Sequence, residues 1–177
     1  LSGRIIAAFS DYLAPAQQQA DALAELGVTP VGVETYANTR RMEKSLRLQN
    51  GDLLTEYNLM ECDLARPKVK AADFHGKEAH LKFRERAHQP AMLCTLTMIS
   101  NIDSTGVARY PLGNLPVMDP ATGQTLIDSE GRRSYTTSIA YGPSIGKNIA
   151  LAYLPYEYCQ VGRELQIQYF DDIYPVK

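Results

Sequence analysis

Residues 134–152 read S-Y-T-T-S-I-A-Y-G-P-S-I-G-K-N-I-A-L-A. Two stretches rich in β-branched and apolar residues, 134–141 and 149–153, flank a short segment that contains Gly142, Pro143 and Gly146. β-Branched and aromatic side chains favour strands, whereas glycine and proline favour tight turns. The stretch therefore predicts two strands joined by a turn.

Working outward from this pair, further short apolar stretches are separated by Gly, Pro, Asn and Asp. They are 92–99, 107–111, 117–120, 125–128, 164–169 and 173–176. Many short strands at this spacing are typical of a small antiparallel β-barrel or sandwich. We therefore expect residues 90–177 to form a β domain.

Before residue 89 the pattern changes to helical spacing. Residues 3–10 read as a short strand. The helical spacing predicts helices at 15–26, 34–48 and 73–87, with Gly27 ending the first helix and Asp73 capping the third. We place a domain boundary near residue 89, so residues 1–89 would be a separate α+β part. The fold class predicted for the whole chain is α+β.

Composition narrows the range of partners. The chain has 177 residues, of which 45% are hydrophobic and 21% charged, which is enough for one medium domain or two small ones. The net charge is −2, which gives no general attraction to nucleic acid or to anionic membranes. No apolar run approaches the ~18 residues of a membrane span.

Cysteine and histidine usage argues against disulfides and metals. Cys62, Cys94 and Cys159 are far apart and form no C-x-x-C pair, so we expect free thiols in a reducing, cytoplasmic setting. His75 and His80 are five residues apart, which does not place them on one helix face. We expect no metal site.

The predicted second helix carries Tyr36, Arg40, Glu43 and Arg47 on one face. A carboxylate can accept two adjacent N–H donors of a flat nitrogen-rich ring such as a pterin, while an aromatic side chain packs nearby. The alternative is an exposed face with a Glu43–Arg47 ion pair, and the pattern alone favours this alternative.

Several motifs follow one another in a fixed order. They are R-M-E-K-S at 41–45, the acids Glu43, Asp52 and Glu61 at intervals of nine residues, D-F-H-G-K-E-A at 73–79, and residues 134–152 followed by Gly162 and Leu165. Together they resemble the middle and late parts of aminomethyltransferases of the glycine-cleavage T-protein family. The M-E-K-S wording and the long segment 101–131 are more similar to the folate domain of dimethylglycine or sarcosine dehydrogenases.

The resemblance implies a fold and a ligand. The fold would be the rear part of a ferredoxin-like α/β layer followed by a small antiparallel β-barrel. Glu43 matches the family's pterin-binding Glu, and Tyr36 matches a Tyr that lines the same tetrahydrofolate pocket. A basic residue before the D-F motif contacts the folate in the family, and the candidates here are Arg66, Lys68 and Lys70.

The implied reaction transfers a one-carbon unit from a methylated amine to tetrahydrofolate. The family's catalytic Asp lies in an N-terminal half that this chain lacks, so we expect a C-terminal fragment that is inactive alone. In a dehydrogenase fusion, an upstream FAD domain would make the imine. The alternatives are a non-catalytic folate-binding module and a tetrahydrofolate-dependent demethylase of the same fold.

Overall fold

The first helix agrees with the prediction from sequence. The structure, a computed structural model, describes residues 13–177, with side chains from residue 17 onward, so the strand expected at 3–10 lies outside the described residues. Helix α1 spans Leu13–Glu25. Gly27, two residues beyond its end, has a φ of 76°, and its N–H donates to the Ala24 carbonyl at 2.9 Å. Glycine adopts this left-handed conformation without steric cost.

The second helical segment is shorter than predicted and has a different geometry. A π-helix at Thr35–Arg40 runs directly into a single α-helical turn, α2, at Arg41–Glu43. The predicted continuation to residue 48 is wrong, because Ser45 takes a left-handed φ of 52° and turns the chain away. Met42 enters the core, whereas Leu46 is 59% exposed.

The third helix, α3, spans Lys77–Arg84 and begins four residues later than predicted. Asp73 does not cap it. Gly76, with a φ of 82°, occupies the capping position instead. A left-handed residue cannot continue a right-handed helix toward its N-terminus, so α3 starts immediately after the glycine.

Within residues 13–177, six strands form two antiparallel sheets of three strands each. They are β1 (Ala91–Thr97), β2 (Val117–Met118), β3 (Thr136–Gly142), β4 (Lys147–Pro155), β5 (Leu165–Tyr169) and β6 (Asp172–Val176). The strand orders are β1-β4-β3 and β2-β5-β6. The pair predicted from residues 134–152 is confirmed as the β3–β4 hairpin, which closes at the Gly142–Lys147 pair.

Isolated bridges connect the two sheets at both edges. Met98 pairs with Val176 beyond the end of β1, and Pro116 pairs with Tyr135 between β2 and β3. Backbone hydrogen bonds of 2.8 and 3.0 Å between Thr97 and Lys177 reinforce the first contact. The sheets therefore share hydrogen bonds on two sides.

The strands expected at 107–111 and 125–128 are reduced to isolated bridges at Ala108, Thr125 and Ile127. Two aspartates explain this outcome. Asp103 accepts hydrogen bonds from the backbone N–H groups of Thr105 and Val107, and Asp128 accepts those of Glu130 and Arg132. Side chains that capture nearby backbone donors favour turns over extended pairing.

Strand β4 is buried on both faces and separates two core clusters. Ala150, Ala152 and Leu154 face the first cluster, which also contains Leu96, Val117, Leu165, Ile167, Tyr174 and Val176. Ile149, Leu151 and Tyr153 face the second, with Met42, Tyr57, Cys62, Ala91 and Leu93. The alternation follows the two-residue period of a strand.

The second cluster draws residues from both sides of position 89, since Met42, Tyr57 and Cys62 pack on strands β1 and β4. This packing fixes the segment 42–62 against the sheet, and the boundary placed near residue 89 stays a prediction. Among the helices of the described residues, none has the length and apolar character needed to cross a membrane.

Candidate functional site

Glu43 lies where α2 meets the β3–β4 turn. Its Oε1 atom accepts the backbone N–H of Ser144 at 2.7 Å, across about a hundred residues of chain. This N–H, followed by the Ser144 side chain, lowers the pKa of Glu43, and the charges of Arg40 and Lys44 act in the same direction. The side chain is therefore a carboxylate at neutral pH. The Glu43–Arg47 ion pair considered from the sequence does not form.

A cavity of about 420 Å³ opens beside Glu43. Its apolar wall comes from Met42, Ile145 and Ile149, and its hydroxyl groups from Ser45, Thr95, Thr97 and Ser144. The hydroxyls of Ser45 and Thr95 are 3.0 Å apart and hydrogen-bonded. A mostly apolar cavity with few polar groups, in the range of about 300–1,000 Å³, is typical of small-molecule sites.

Tyr36 lies in a different hollow. That hollow, of about 400 Å³, is lined by Tyr36 together with Leu46, Leu48 and the side chains of Arg41 and Arg47. Within the described residues, Tyr36 and Glu43 do not line a common cavity. The single face predicted from helical spacing is lost, because a π-helix precedes Arg41 and because the helix ends before Arg47.

Arg66, Lys68 and Lys70 line a third hollow, of about 520 Å³, together with Phe74 and two histidines, His75 and His80. Lys70 Nζ lies 4.9 Å from the centroid of the Phe74 ring, a cation–π distance. All three basic side chains are exposed. The five predicted ligand residues thus occupy three separate hollows, and their roles stay predictions.

The second of the three evenly spaced acids, Asp52, is fully buried and paired. Its Oδ2 accepts hydrogen bonds from Arg41 Nη1 and from the Leu48 backbone N–H, both at 2.8 Å. Its Oδ1 accepts the hydroxyl protons of Thr137 and Ser138 on β3. All acceptor positions of this carboxylate are used within the chain, so it ties the helical segment to the sheet.

Glu61, the third acid, is buried in a second network. Asn58 donates to its Oε2 through both the backbone N–H, at 2.9 Å, and the side-chain amide, at 2.8 Å. Arg132 forms an ion pair with its Oε1, and the same guanidinium binds Asp128 Oδ2 at 2.7 Å. The segment around Glu61 is therefore fixed to the turn that precedes β3.

Two stacked tyrosines lie between the networks. The rings of Tyr57 and Tyr153 are parallel, with centroids 3.5 Å apart, and the Arg132 guanidinium lies 4.5 Å above Tyr57. The Tyr153 hydroxyl donates to the Asp52 carbonyl at 2.7 Å. Burial raises the pKa of both tyrosines, so both hydroxyls stay protonated.

Sequence reasoning missed the two arginines that neutralise these acids. Arg41 was noted only as part of a motif, and Arg132 is 71 positions from Glu61 in the chain. The regular spacing of Glu43, Asp52 and Glu61 was the signal that marked these three acids in the sequence. Spacing alone does not say which acid is neutralised inside the fold.

Residues 114–177 match the family model described as the glycine cleavage T-protein C-terminal barrel domain. The chain is 31% identical to an aminomethyltransferase of Koribacter versatilis over 75% of its length, which is 31% of that relative. It is 32% identical to an aminomethyltransferase of Desulfitobacterium hafniense over 80% of its length, and 34% of that relative.

A second kind of relative is the mitochondrial dimethylglycine dehydrogenase of Rattus norvegicus, 28% identical over 80% of this chain and 15% of the relative. The crystal structure of glycine cleavage system aminomethyltransferase T from Bartonella henselae superposes with a TM-score of 0.70 at 20% identity. That match covers 92% of this chain and 42% of the other, and it confirms the mixed helical and antiparallel-sheet fold. The chain spans about a third of the length of the aminomethyltransferases that it matches.

Proposed function

We propose that this chain, a member of the glycine-cleavage T-protein family, is the C-terminal part of a protein that transfers a one-carbon unit to tetrahydrofolate. The donor would be a methylated amine: the glycine-cleavage intermediate, dimethylglycine or sarcosine. The relatives, which are aminomethyltransferases and a dimethylglycine dehydrogenase, support both the cofactor and the class of donor.

Glu43 is the observation that carries the proposal. Within residues 13–177, its carboxylate accepts hydrogen bonds from Ser144 alone, whereas Asp52 and Glu61 are bound on both oxygens. It is also ionised and lies at the rim of a cavity of ligand size. Such a carboxylate can accept two neighbouring N–H groups of a pterin ring.

The contribution of this chain to the reaction would be positioning. A pterin held by Glu43 would direct the folate amine toward an iminium or aminomethyl carbon, and holding reactants in this geometry supplies a large part of catalysis. The acid–base step would belong to the Asp of the N-terminal half. In a dehydrogenase fusion, an upstream FAD domain would supply the imine.

We further propose that the N-terminal half covers the apolar surface near the start of this chain. Leu26, Val31 and Val33 are exposed, and so are Tyr36 and Leu46. Five exposed apolar side chains within one short stretch of sequence support an interface here. Burial of Tyr36 against that half would build the second wall of the folate pocket, which is why we expect weak or no folate binding by this chain alone.

One of Arg66, Lys68 and Lys70 would contact the carboxylates of the folate tail. Their hollow contains three cations and Phe74, which suits an anionic, partly apolar ligand.

The two bridges between the sheets, Met98–Val176 and Pro116–Tyr135, support a closed order β1-β4-β3-β2-β5-β6. We propose that strands in this order close into the small barrel, which follows a ferredoxin-like layer in the chain.

The test is tetrahydrofolate binding by calorimetry on the longest chain that the gene encodes, comparing wild type with Glu43→Ala. A charge-assisted hydrogen bond contributes roughly 1.5–3 kcal/mol, so the variant should lose about one to two orders of magnitude in affinity. Glu78→Ala is the matched control, because Glu78 is an exposed carboxylate on α3 that pairs with Lys82. Equal affinity of wild type and Glu43→Ala, or no folate binding, would contradict the proposal.

A further inference from the structure

Two of the three cysteines, Cys94 and Cys159, are far apart in sequence but lie in the same part of the fold. Cys94 lies in β1 opposite Ala152 of β4, and Cys159 follows the 3₁₀ turn Tyr156–Tyr158 that ends β4. The Cys159 thiol donates to the Pro155 carbonyl at 3.3 Å. Both residues line one cavity of about 500 Å³, both pack against the first core cluster, and both are only half-buried.

The environments of the two sulfur atoms differ. A hydrogen bond between the side chains raises the pKa of Cys94 and lowers that of Cys159, and the Met92 backbone N–H also lowers the pKa of Cys159. Burial acts against ionisation at both thiols, and the Glu157 charge opposes it at Cys159. Cys159 is therefore the thiol of the pair that ionises more readily.

The cavity also has a cationic side. Arg163 and Lys177 line it, and the Arg163 guanidinium lies 4.6 Å above the Tyr158 ring. Thiols that are partly exposed and have a lowered pKa are the reactive ones in proteins. An accessible, ionisable cysteine beside a second cysteine is the arrangement found in reversible thiol oxidation.

We propose that Cys94 and Cys159 form a reversible oxidation site, in which Cys159 is the attacking thiolate, Cys94 the resolving thiol, and a hydroperoxide the oxidant. The Cys159 sulfur attacks the O–O bond, takes one oxygen as sulfenic acid and releases the alcohol or water. The Cys94 sulfur then attacks the sulfenic sulfur, a second water leaves, and a disulfide remains. Two thiols are oxidised and one peroxide is reduced, and a dithiol reductant reverses the step.

Cys62 provides an internal reference. It is buried in the second core cluster, burial raises its pKa, and its sulfur is enclosed by the Asn58 carbonyl and the Tyr153 hydroxyl. A buried thiol in such surroundings stays protonated and inert. The three cysteines should therefore react in the order Cys159, Cys94, Cys62.

The first experiment uses the unmodified chain. Limiting iodoacetamide followed by peptide mass spectrometry should label Cys159 at least ten-fold faster than Cys62. One equivalent of hydrogen peroxide should then give a Cys94–Cys159 cross-linked peptide that dithiothreitol removes. Equal labelling of all three cysteines, or a cross-link that includes Cys62, would overturn the proposal.

Three single variants separate the roles. With peroxide and dimedone, Cys94→Ser should accumulate a dimedone adduct on Cys159, Cys159→Ser should form neither adduct nor cross-link, and Cys62→Ser should behave as wild type. Circular dichroism confirms that each variant is folded. The assignment fails if folded Cys159→Ser still gives an adduct on Cys94 at the wild-type rate, or if Cys62→Ser abolishes the cross-link.

Discussion

The carboxylates of Glu43, Asp52 and Glu61 differ in where they lie, inside the fold or at its surface, and therefore in what they do. Asp52 and Glu61 lie inside, where arginines, hydroxyls and backbone N–H groups occupy both of their oxygens. Glu43 lies at the rim, bound by Ser144 and open to a cavity. A carboxylate saturated by its own chain holds the fold together, whereas one with acceptor capacity left can bind a ligand.

Asp52 should show the largest effect on stability. Its side chain is fully buried, and its partner Arg41 is only 11% exposed, so Asp52→Ala leaves a poorly solvated guanidinium without its counter-ion. Breaking one partner of a buried ion pair costs about 3–5 kcal/mol. We expect a loss of that size in the free energy of unfolding, measured by urea denaturation.

The control for Asp52 is Asp63→Asn, because Asp63 has a left-handed φ of 55°, which asparagine tolerates better than alanine. Asp63 also faces an arginine, Arg47, at 3.4 Å, but it is 77% exposed. Exposed ion pairs contribute about 0–1 kcal/mol. Similar losses in the two variants would show that the burial of Asp52 is not what makes it structural.

The Glu61–Arg132 pair should have the next largest effect, with coupling between the partners. Glu61→Gln should cost about 2 kcal/mol, because the amide presents donors to Arg132 and loses the charge. Arg132→Met should cost at least as much, since it also releases Asp128. In the double variant the losses should fall about 1 kcal/mol or more short of additivity.

Simple additivity in that double-mutant cycle would mean that the two side chains stabilise the fold independently. Arg86→Met combined with Glu130→Gln is the comparison pair. These residues are joined at 3.0 Å but are much more exposed, so the coupling between them should be near zero.

Tyr153 should have a smaller effect. Tyr153→Phe removes the hydroxyl that donates to the Asp52 carbonyl but keeps the stacked ring, so the loss should be about 1 kcal/mol, the net contribution of one hydrogen bond. Tyr156→Phe, in which an exposed hydroxyl is removed, should leave the urea midpoint unchanged. Equal midpoints for both variants would mean that Tyr153 stabilises the fold through its stacked ring alone and not through its hydroxyl.

The strands were predictable because their signal is local. In residues 134–152, the β-branched and apolar side chains and the Gly-Pro turn sufficed for the β3–β4 hairpin. The end of the second helix was not predictable, because it depends on Ser45, a non-glycine residue in a left-handed conformation. The strands at 107–111 and 125–128 failed for a related reason: Asp103 binds the Val107 N–H, and Asp128 binds the N–H groups of Glu130 and Arg132, so both aspartates fold the chain into turns.

For the site, the resemblance selected Glu43, but the sequence carried no local signal for its partner, since Ser144 lies on a distant hairpin. Helical spacing also joined Tyr36 to Glu43, whereas the π-helix separates them. Contacts between distant segments are set by the packing of β4 against two clusters, and residue spacing does not encode that packing.

Replacing Glu43 should have the smallest effect on stability of the three acids. This difference from Asp52 and Glu61 is the main test of the proposed ligand-binding role. The hydrogen bond of Glu43 with Ser144 lowers its pKa, so any contribution to folding is present above the ordinary carboxyl range and is lost as pH falls through the lowered value. Because the group is solvated, we expect Glu43→Ala and wild type to share one urea midpoint at pH 7. Unchanged stability together with weakened tetrahydrofolate binding would show that Glu43 binds the ligand and does not stabilise the fold. A midpoint lowered as much as in Glu61→Gln would instead make Glu43 a third structural acid, and any loss of folate affinity would then be a consequence of a weakened fold.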